Sequence, residues 1–330
     1  MNENNAVMIC GHGSRSVAAV EEFNVLARHF RERLPDYDVD SGFLEFAKPV
    51  IRDGLEALKA RGAKKIICIP GMLFAAGHVK NDLPSEVNNF AAENPGIEVL
   101  FGRELAIDAR LLRAAAERIE AAEKSSPTKM DRKDTLLMVV GRGTNDSDAN
   151  SNVSKVARML WEGMGFGWTE VCYSGVTHPL VDPGLAHAVK LGYKRIIVFP
   201  YFLFTGILVQ RIYDGADNAQ ALNPDVEILK ANYLNDHPMV IDTFLERVDE
   251  VLNGRNLMNC QLCKYREQII GYEDAPGTPQ VGHHHHVQGI GTDGDHDHGH
   301  GHSHGHGHSH GHGHEHGHDH HHHETVAEKA

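Results

Sequence analysis

A single ungapped offset of 130 residues relates the two halves of this 330-residue chain. Gly11, Gly13, Pro49, Gly54, Leu55 and Pro70 recur as Gly141, Gly143, Pro179, Gly184, Leu185 and Pro200. Over Gly62–Val79 the row GAKKIICIPGMLFAAGHV lies on GYKRIIVFPYFLFTGILV at Gly192–Val209. Chance does not hold one register across so many separate landmarks. The chain is therefore a duplication of one unit of roughly 120–130 residues, inside the usual range for a domain.

Within the first unit, strand-like and helix-like stretches alternate. Ala6–Cys10, Val39–Phe46, Lys65–Pro70 and Ile97–Phe101 read as strands; Val17–Arg33, Val50–Ala60, Asp82–Ala92 and Ile107–Ala122 read as helices with apolar faces. Such alternation predicts an α/β fold, a parallel sheet flanked by helices, built twice in tandem. The expected boundaries are 1–123 for the first half and 134–253 for the second. Glu123–Asp134, with its Ser-Ser-Pro, reads as the linker between them. A cysteine-containing segment, 254–282, follows, and then a tail, 283–330, made mostly of His, Gly and Asp. The tail holds too little apolar surface to offset the entropy of ordering it, so it reads as disordered in the absence of metal.

Composition removes several function classes. The net charge of −13 opposes nucleic acid as a partner, because phosphate binding needs clustered Lys and Arg. No apolar run approaches the ~20 residues that span a bilayer, and Met1–Asn5 lacks a signal-peptide pattern; a cytoplasmic location is expected. Cys10, Cys68 and Cys172 lie in apolar strand-like runs and read as small buried hydrophobes. Only Cys260 and Cys263 look placed for chemistry.

The repeat is most informative where it fails. His12 corresponds to Arg142, His78 to Leu208 and Glu45 to Gly175. Glycines and apolar residues persist across the copies while these ionisable residues do not. All three fall at expected C-terminal ends of strands, where ligands bind in open parallel sheets. Free drift of surface residues is the alternative. His12 stands in Cys10-Gly11-His12-Gly13-Ser14-Arg15, whose glycines permit a tight turn. A phosphate-binding turn with an incidental histidine is the other reading, although neither the P-loop lysine nor dinucleotide-binding glycine spacing is present. His78 stands in Phe74-Ala75-Ala76-Gly77-His78-Val79-Lys80-Asn81-Asp82. Two imidazoles from different strand ends could hold a borderline divalent metal and leave positions open for water or substrate. Glu45 would ligate the metal or accept a proton, or else cap the helix after Pro49.

The motifs GHGSR after the first strand, FLE-x-A-x-P after the second and P-x-x-L-x-x-x-G-H-V after the third resemble those of the class II tetrapyrrole chelatases. The resemblance covers Val7 to Leu252 and is closest to the long, two-domain sirohydrochlorin cobaltochelatases, in which one half keeps the histidines. It implies His12 and His78 as metal-binding, catalytic residues with Glu45 as third participant. It also implies an activity: insertion of Co2+ into sirohydrochlorin with release of two protons, in cobalamin biosynthesis. Nothing in the ligand set excludes Fe2+ or Ni2+, so siroheme ferrochelatase and nickel chelatase are the alternatives. A metal-storage protein or metallochaperone without catalysis is the rival of another class. A two-domain binding module of periplasmic-receptor type is a second, disfavoured by the missing signal pattern. Because sirohydrochlorin carries many carboxylates, Arg15, Lys48 and Lys80 are expected to orient it, or are simply solvated charges.

Two further metal signals lie beyond the repeat. Met258-x-Cys260-x-x-Cys263 would be redox-active, a zinc half-site or part of an iron–sulfur site. The resemblance favours a cluster, yet two cysteines do not complete a four-thiolate set. A cluster bridging two subunits of a homodimer, or added ligands such as His283–His286, would be needed. The tail holds 20 of the 26 histidines, at His283–His286, alternately over His296–His318, and at His320–His323. A purification tag does not alternate His with Gly and Asp over such a length. Imidazole-rich chain favours Co2+, Ni2+, Cu2+ and Zn2+, so the tail reads as a metal reservoir whose affinity falls as pH drops below ~6.5.

Overall fold

The computed structural model describes residues 4–254. Cys260, Cys263 and the His-rich tail, with the cluster, reservoir and disorder expected for them, lie outside the described residues.

The first half runs β1 (Asn5–Gly11), α1 (Val17–Glu32), β2 (Asp38–Phe43), α2 (Ile51–Ala60), β3 (Lys65–Pro70), a π-helical turn (His78–Asp82), α3 (Leu83–Glu93), β4 (Glu98–Phe101) and α4 (Ala109–Ser125). A short 3-10 turn at Arg132–Asp134 leads into the second: β5 (Thr135–Gly141), α5 (Ser147–Met164), β6 (Trp168–Tyr173), α6 (Val181–Lys190), β7 (Arg195–Pro200), α7 (Ile207–Leu222), β8 (Glu227–Lys230) and α8 (Pro238–Leu252). Each half forms a four-stranded parallel sheet, ordered β2-β1-β3-β4 and β6-β5-β7-β8. The doubled α/β architecture expected from the repeat is the one observed. No helix among the described residues is long and apolar enough to cross a membrane.

Both faces of each sheet are covered, which is why the central strands read as unbroken apolar runs. Along β1, Ala6, Met8 and Cys10 enter a core under α2 and α3, while Val7 and Ile9 enter another. Along β5, Leu136, Met138 and Val140 face a third core, while Leu137 and Val139 join the same cluster as Val7 and Ile9. The middle cluster is thus common to both halves. Cys10, Cys68 and Cys172 are fully buried, as expected. The contact with Cys10 and burial together push the Cys68 thiol well up, and burial takes Cys172 to about 12.

The halves exchange their last helices. α8 packs against β3, α1 and α4 of the first half, and α4 packs against β7, β8 and α5 of the second. Phe244 on α8 meets Phe30 on α1 edge to face, with ring centroids 6.0 Å apart. Arg247, 1% exposed, donates to the Glu104 and Leu105 carbonyls at 3.1 and 2.5 Å and to Asp108 Oδ2 at 3.0 Å. The stretch between the halves is correspondingly structured. α4 continues through Ser125, and buried Arg195 on β7 donates to Ser126 Oγ at 3.1 Å and to the Thr128 carbonyl at 2.5 Å.

Two boundaries differ from the sequence expectation at the sheet's functional edge. Strand two ends at Phe43, not Phe46, because Leu44 and Glu45 turn to hydrogen-bond the His12 loop and Phe46 takes a left-handed φ of 63°. The helix expected from Asp82 is preceded by a π turn beginning at His78. The corresponding residues of the second half enter α7 as a regular helix from Ile207.

Candidate active site

The strand order β2-β1-β3-β4 places a crevice beyond the carboxyl ends of β1 and β3. The chain leaves β1 toward one edge and returns across it to form β3, so the connecting segments diverge there. His12 is the first residue after β1, and His78 follows β3. Glu45 arrives from the segment after β2, zipped to the His12 turn by two backbone bonds, Leu44 N–H to the Gly11 carbonyl at 2.8 Å and Glu45 N–H to the His12 carbonyl at 3.0 Å.

Gly13 makes that close approach feasible. Its φ is +94°, and a Cβ there would sit 1.7 Å from the Glu45 carbonyl oxygen. The second half repeats the device: Ser174 and Gly175 N–H donate to the Gly141 and Arg142 carbonyls at 2.9 and 3.0 Å, and a Cβ on Gly143 would meet the Gly175 carbonyl at 1.9 Å. The duplication kept the backbone frame and changed the side chains mounted on it.

On the first frame, His12, Glu45 and His78 come together, each offering a ligand atom within 4.8 Å of the others. The His12 and His78 rings meet edge to face, with centroids 4.5 Å apart, and His12 Nε2 lies 3.4 Å from Glu45 Oε1. The hydrogen bonds define the tautomers. His12 Nδ1 is 2.9 Å from the Gly13 carbonyl, which only accepts, so Nδ1 carries the proton. His78 Nδ1 is 2.8 Å from Asp82 Oδ2, and a carboxylate accepting there assigns the same tautomer. With the proton on Nδ1, Nε2 is the ring atom through which each imidazole would bind a metal. Nε2 of His12 and Oε1 of Glu45 then present lone pairs to one another, an arrangement that a shared cation or proton relieves. Two imidazoles and a carboxylate suit borderline divalent metals and leave coordination positions open. At the start of α2 the Val50 N–H donates to Asp53 Oδ2 at 3.1 Å.

Asp82 was not legible as a site residue. It is 2% exposed and reaches His78 because both belong to the π turn, closed by Leu83 N–H donating to the His78 carbonyl. Such turns recur at functional sites, but hydrophobic periodicity carries no trace of one.

The three expected cations separate. Arg15 lines the cleft and lies over the Phe46 ring, 5.0 Å from its centroid. Lys48 is exposed and lies outside the cleft lining. Lys80 also lies outside the lining. It is 3% exposed and crosses to the second half, with Nζ 2.6 Å from Asp146 Oδ2 and 3.1 Å from Asp148 Oδ2. Burial works against the Lys80 ammonium, but the two carboxylates hold its pKa above the usual lysine value.

The cleft has a volume of about 810 Å³ and is bounded by both halves. Its second wall comes from the turn at Gly141–Thr144 and from Tyr201–Val209. Aromatic side chains make much of the lining; Phe74 of the first half and Tyr201 of the second stack with centroids 5.7 Å apart. Arg142, the repeat counterpart of His12, lines the same cleft. Its desolvation by the cleft walls lowers its pKa, and the charge of Glu45 acts in the opposite sense.

Comparison with known proteins places these features in context. The CbiX family model matches twice, over residues 6–122 and 136–251. The sirohydrochlorin cobaltochelatase of Priestia megaterium is 34% identical over 274 residues, covering 82% of this chain and 87% of that protein. The sirohydrochlorin ferrochelatase of the same organism is 30% identical, covering 76% of this chain and 91% of that one. Among solved structures, SirB from Bacillus subtilis with Fe3+ superposes with a TM-score of 0.68 at 27% identity, covering 77% of this chain and 99% of that one.

Proposed function

This chain belongs to the CbiX family, and on that premise we propose that it is a chelatase inserting Co2+ into sirohydrochlorin, with release of two protons. The observation that carries the proposal is the convergence of His12, Glu45 and His78 within 4.8 Å at the mouth of a cleft walled by aromatic side chains. The cleft volume falls in the range of sites that enclose small molecules and cofactors.

The residues fit the chemistry. Insertion strips water from the metal and removes a proton from each of two pyrrole nitrogens. The Nε2 atoms of His12 and His78 replace lost waters while the open positions face the macrocycle. Glu45, 8% exposed, is the carboxylate at hand as ligand and as first proton acceptor, since a base must lie within hydrogen-bond reach of the proton it takes. Asp82 keeps the His78 ring in the tautomer that binds metal, the usual role of a carboxylate behind a ligating histidine. Arg15 orients the acidic substrate from the rim.

Cobalt is the proposed metal because the family resemblance pairs the long two-half form with Met258-x-Cys260-x-x-Cys263 and a histidine tail. In this reading Cys260 and Cys263 contribute to an iron–sulfur cluster shared between subunits. The tail gathers Co2+, Ni2+ or Zn2+ for delivery. Cobalt dialysis against the full chain and a tail-deleted chain tests the tail; equal stoichiometry eliminates the reservoir.

The decisive assay follows the absorbance of sirohydrochlorin with Co2+, Fe2+ or Ni2+ in the presence of the full chain. Cobalt is expected to be inserted fastest, and His12→Ala and His78→Ala are each expected to abolish the acceleration. Retained activity in both variants would sink the assignment.

A further inference from the structure

We propose that Arg142 is a substrate-anchoring residue of the cleft, donated by the half without metal ligands, that receives a peripheral carboxylate of the tetrapyrrole opposite His12, Glu45 and His78. The inference deepens the chelatase reading and rests on it.

Four observations converge. First, the repeat mounts Arg142 on the second half's copy of the His12 turn, and both turns line one cleft. A polycarboxylate macrocycle held between the walls would meet the metal ligands on one side and this guanidinium on the other. Second, among the described residues Arg142 makes no hydrogen bond or ion pair through its side chain; the only charge acting on it is that of Glu45. Partner-free guanidinium groups at the mouth of an apolar cleft are suited to bidentate capture of an incoming carboxylate.

Third, the acids nearest in sequence to Arg142 are already taken. Asp146 and Asp148, on the same loop and the following helix, accept from Lys80 at 2.6 and 3.1 Å, and Asp146 also accepts from the Asp148 N–H at 3.0 Å. Lys80 reaches them from the π-turn segment that carries His78. The first half thereby occupies both of these carboxylates. Fourth, Arg15 stands in the same cleft on the opposite wall, over the Phe46 ring. Two cations on facing walls match a ligand that carries carboxylates around its periphery.

The test uses the full chain with sirohydrochlorin as substrate, uroporphyrin as a non-reacting polycarboxylate probe and Co2+ alone as metal probe. Arg142→Ala is expected to raise the KM for sirohydrochlorin and the Kd for uroporphyrin about tenfold, the scale of one charge-assisted contact, and to flatten the dependence of both on salt. Co2+ binding measured by dialysis should change less than about twofold. Arg142→Lys should recover part of the affinity, and Arg28→Ala, which removes the same charge from an exposed position of α1 outside the cleft, should change neither constant. A fall in kcat at unchanged KM, or an altered Co2+ affinity, would overturn the proposal in favour of an effect through Glu45. Unchanged sirohydrochlorin kinetics in Arg142→Ala, with an active wild type, overturns this inference alone. A wild-type chain that inserts no metal yet binds uroporphyrin through Arg142 overturns the function and leaves the anion site standing.

Discussion

His78 Nδ1 and Asp82 Oδ2 lie 2.8 Å apart within one π turn. The histidine is partly open to the cleft and the carboxylate is buried. The pair joins the second imidazole of the candidate site to the start of α3, so the ring's direction is set by the backbone rather than by a flexible loop.

Asp82→Asn removes the charge while keeping the shape. An amide can present its NH2 to Nδ1 and stabilise the opposite tautomer, which would put the proton on the atom needed for metal. Cobalt affinity and kcat/KM are expected to fall about 10–100-fold, the usual range for a residue behind a metal ligand. Equilibrium dialysis and the absorbance assay measure the two quantities, and unchanged values in a folded variant would remove Asp82 from the site.

The paired glycines offer a control internal to the molecule. Gly13→Ala and Gly143→Ala each force a Cβ onto a carbonyl oxygen at a positive φ. Both should destabilise by at least the order of 1–3 kcal/mol associated with local backbone strain. Only Gly13→Ala should also weaken Co2+ binding, because only that turn carries His12 beside Glu45. Denaturant titration and metal dialysis on both variants check the split; equal loss of metal affinity in the two would show a global effect.

Lys80→Met tests the strap between the halves. The methionine fills similar space but abandons Asp146 and Asp148. Removing one member of a buried pair costs about 3–5 kcal/mol. Asp148 is half exposed and able to rehydrate, so a loss on the order of 2–3 kcal/mol is expected here. Urea unfolding reads it directly, and a midpoint within error of wild type contradicts the strap.

Acid should loosen the exchanged helices. Burial works against the Asp108 carboxylate, but the Arg110 N–H and the Arg247 guanidinium outweigh it and hold its pKa below the ordinary 3.8. A group depressed in the folded state contributes stability above its unfolded pKa and loses it as pH falls through its folded pKa. Asp108→Asn should therefore lower stability at neutral pH and flatten the decline on acidification. Chemical denaturation from neutral pH down through the aspartate range measures both effects; a parallel pH profile would assign the decline to other carboxylates.

The doubled sheet architecture, the buried cysteines and the trio His12, Glu45 and His78 were all legible in the sequence. These depend on local pattern and on a comparison the chain makes with itself. Side-chain period and glycine position act over a few residues, and a copy 130 residues on separates what the fold requires from what the site requires. Lys80, by contrast, reads from the sequence as a cation beside a histidine, and only the packed structure turns it away to Asp146 and Asp148. Asp82 and the exchange of α4 and α8 were equally hidden. A π turn differs from an α turn by one residue of register, and a helix that covers its neighbour's sheet has the same amphipathic pattern as one that covers its own. Which partner an apolar face or a buried charge meets is decided by contacts distant along the chain, and those exist only once both halves have closed on their common core.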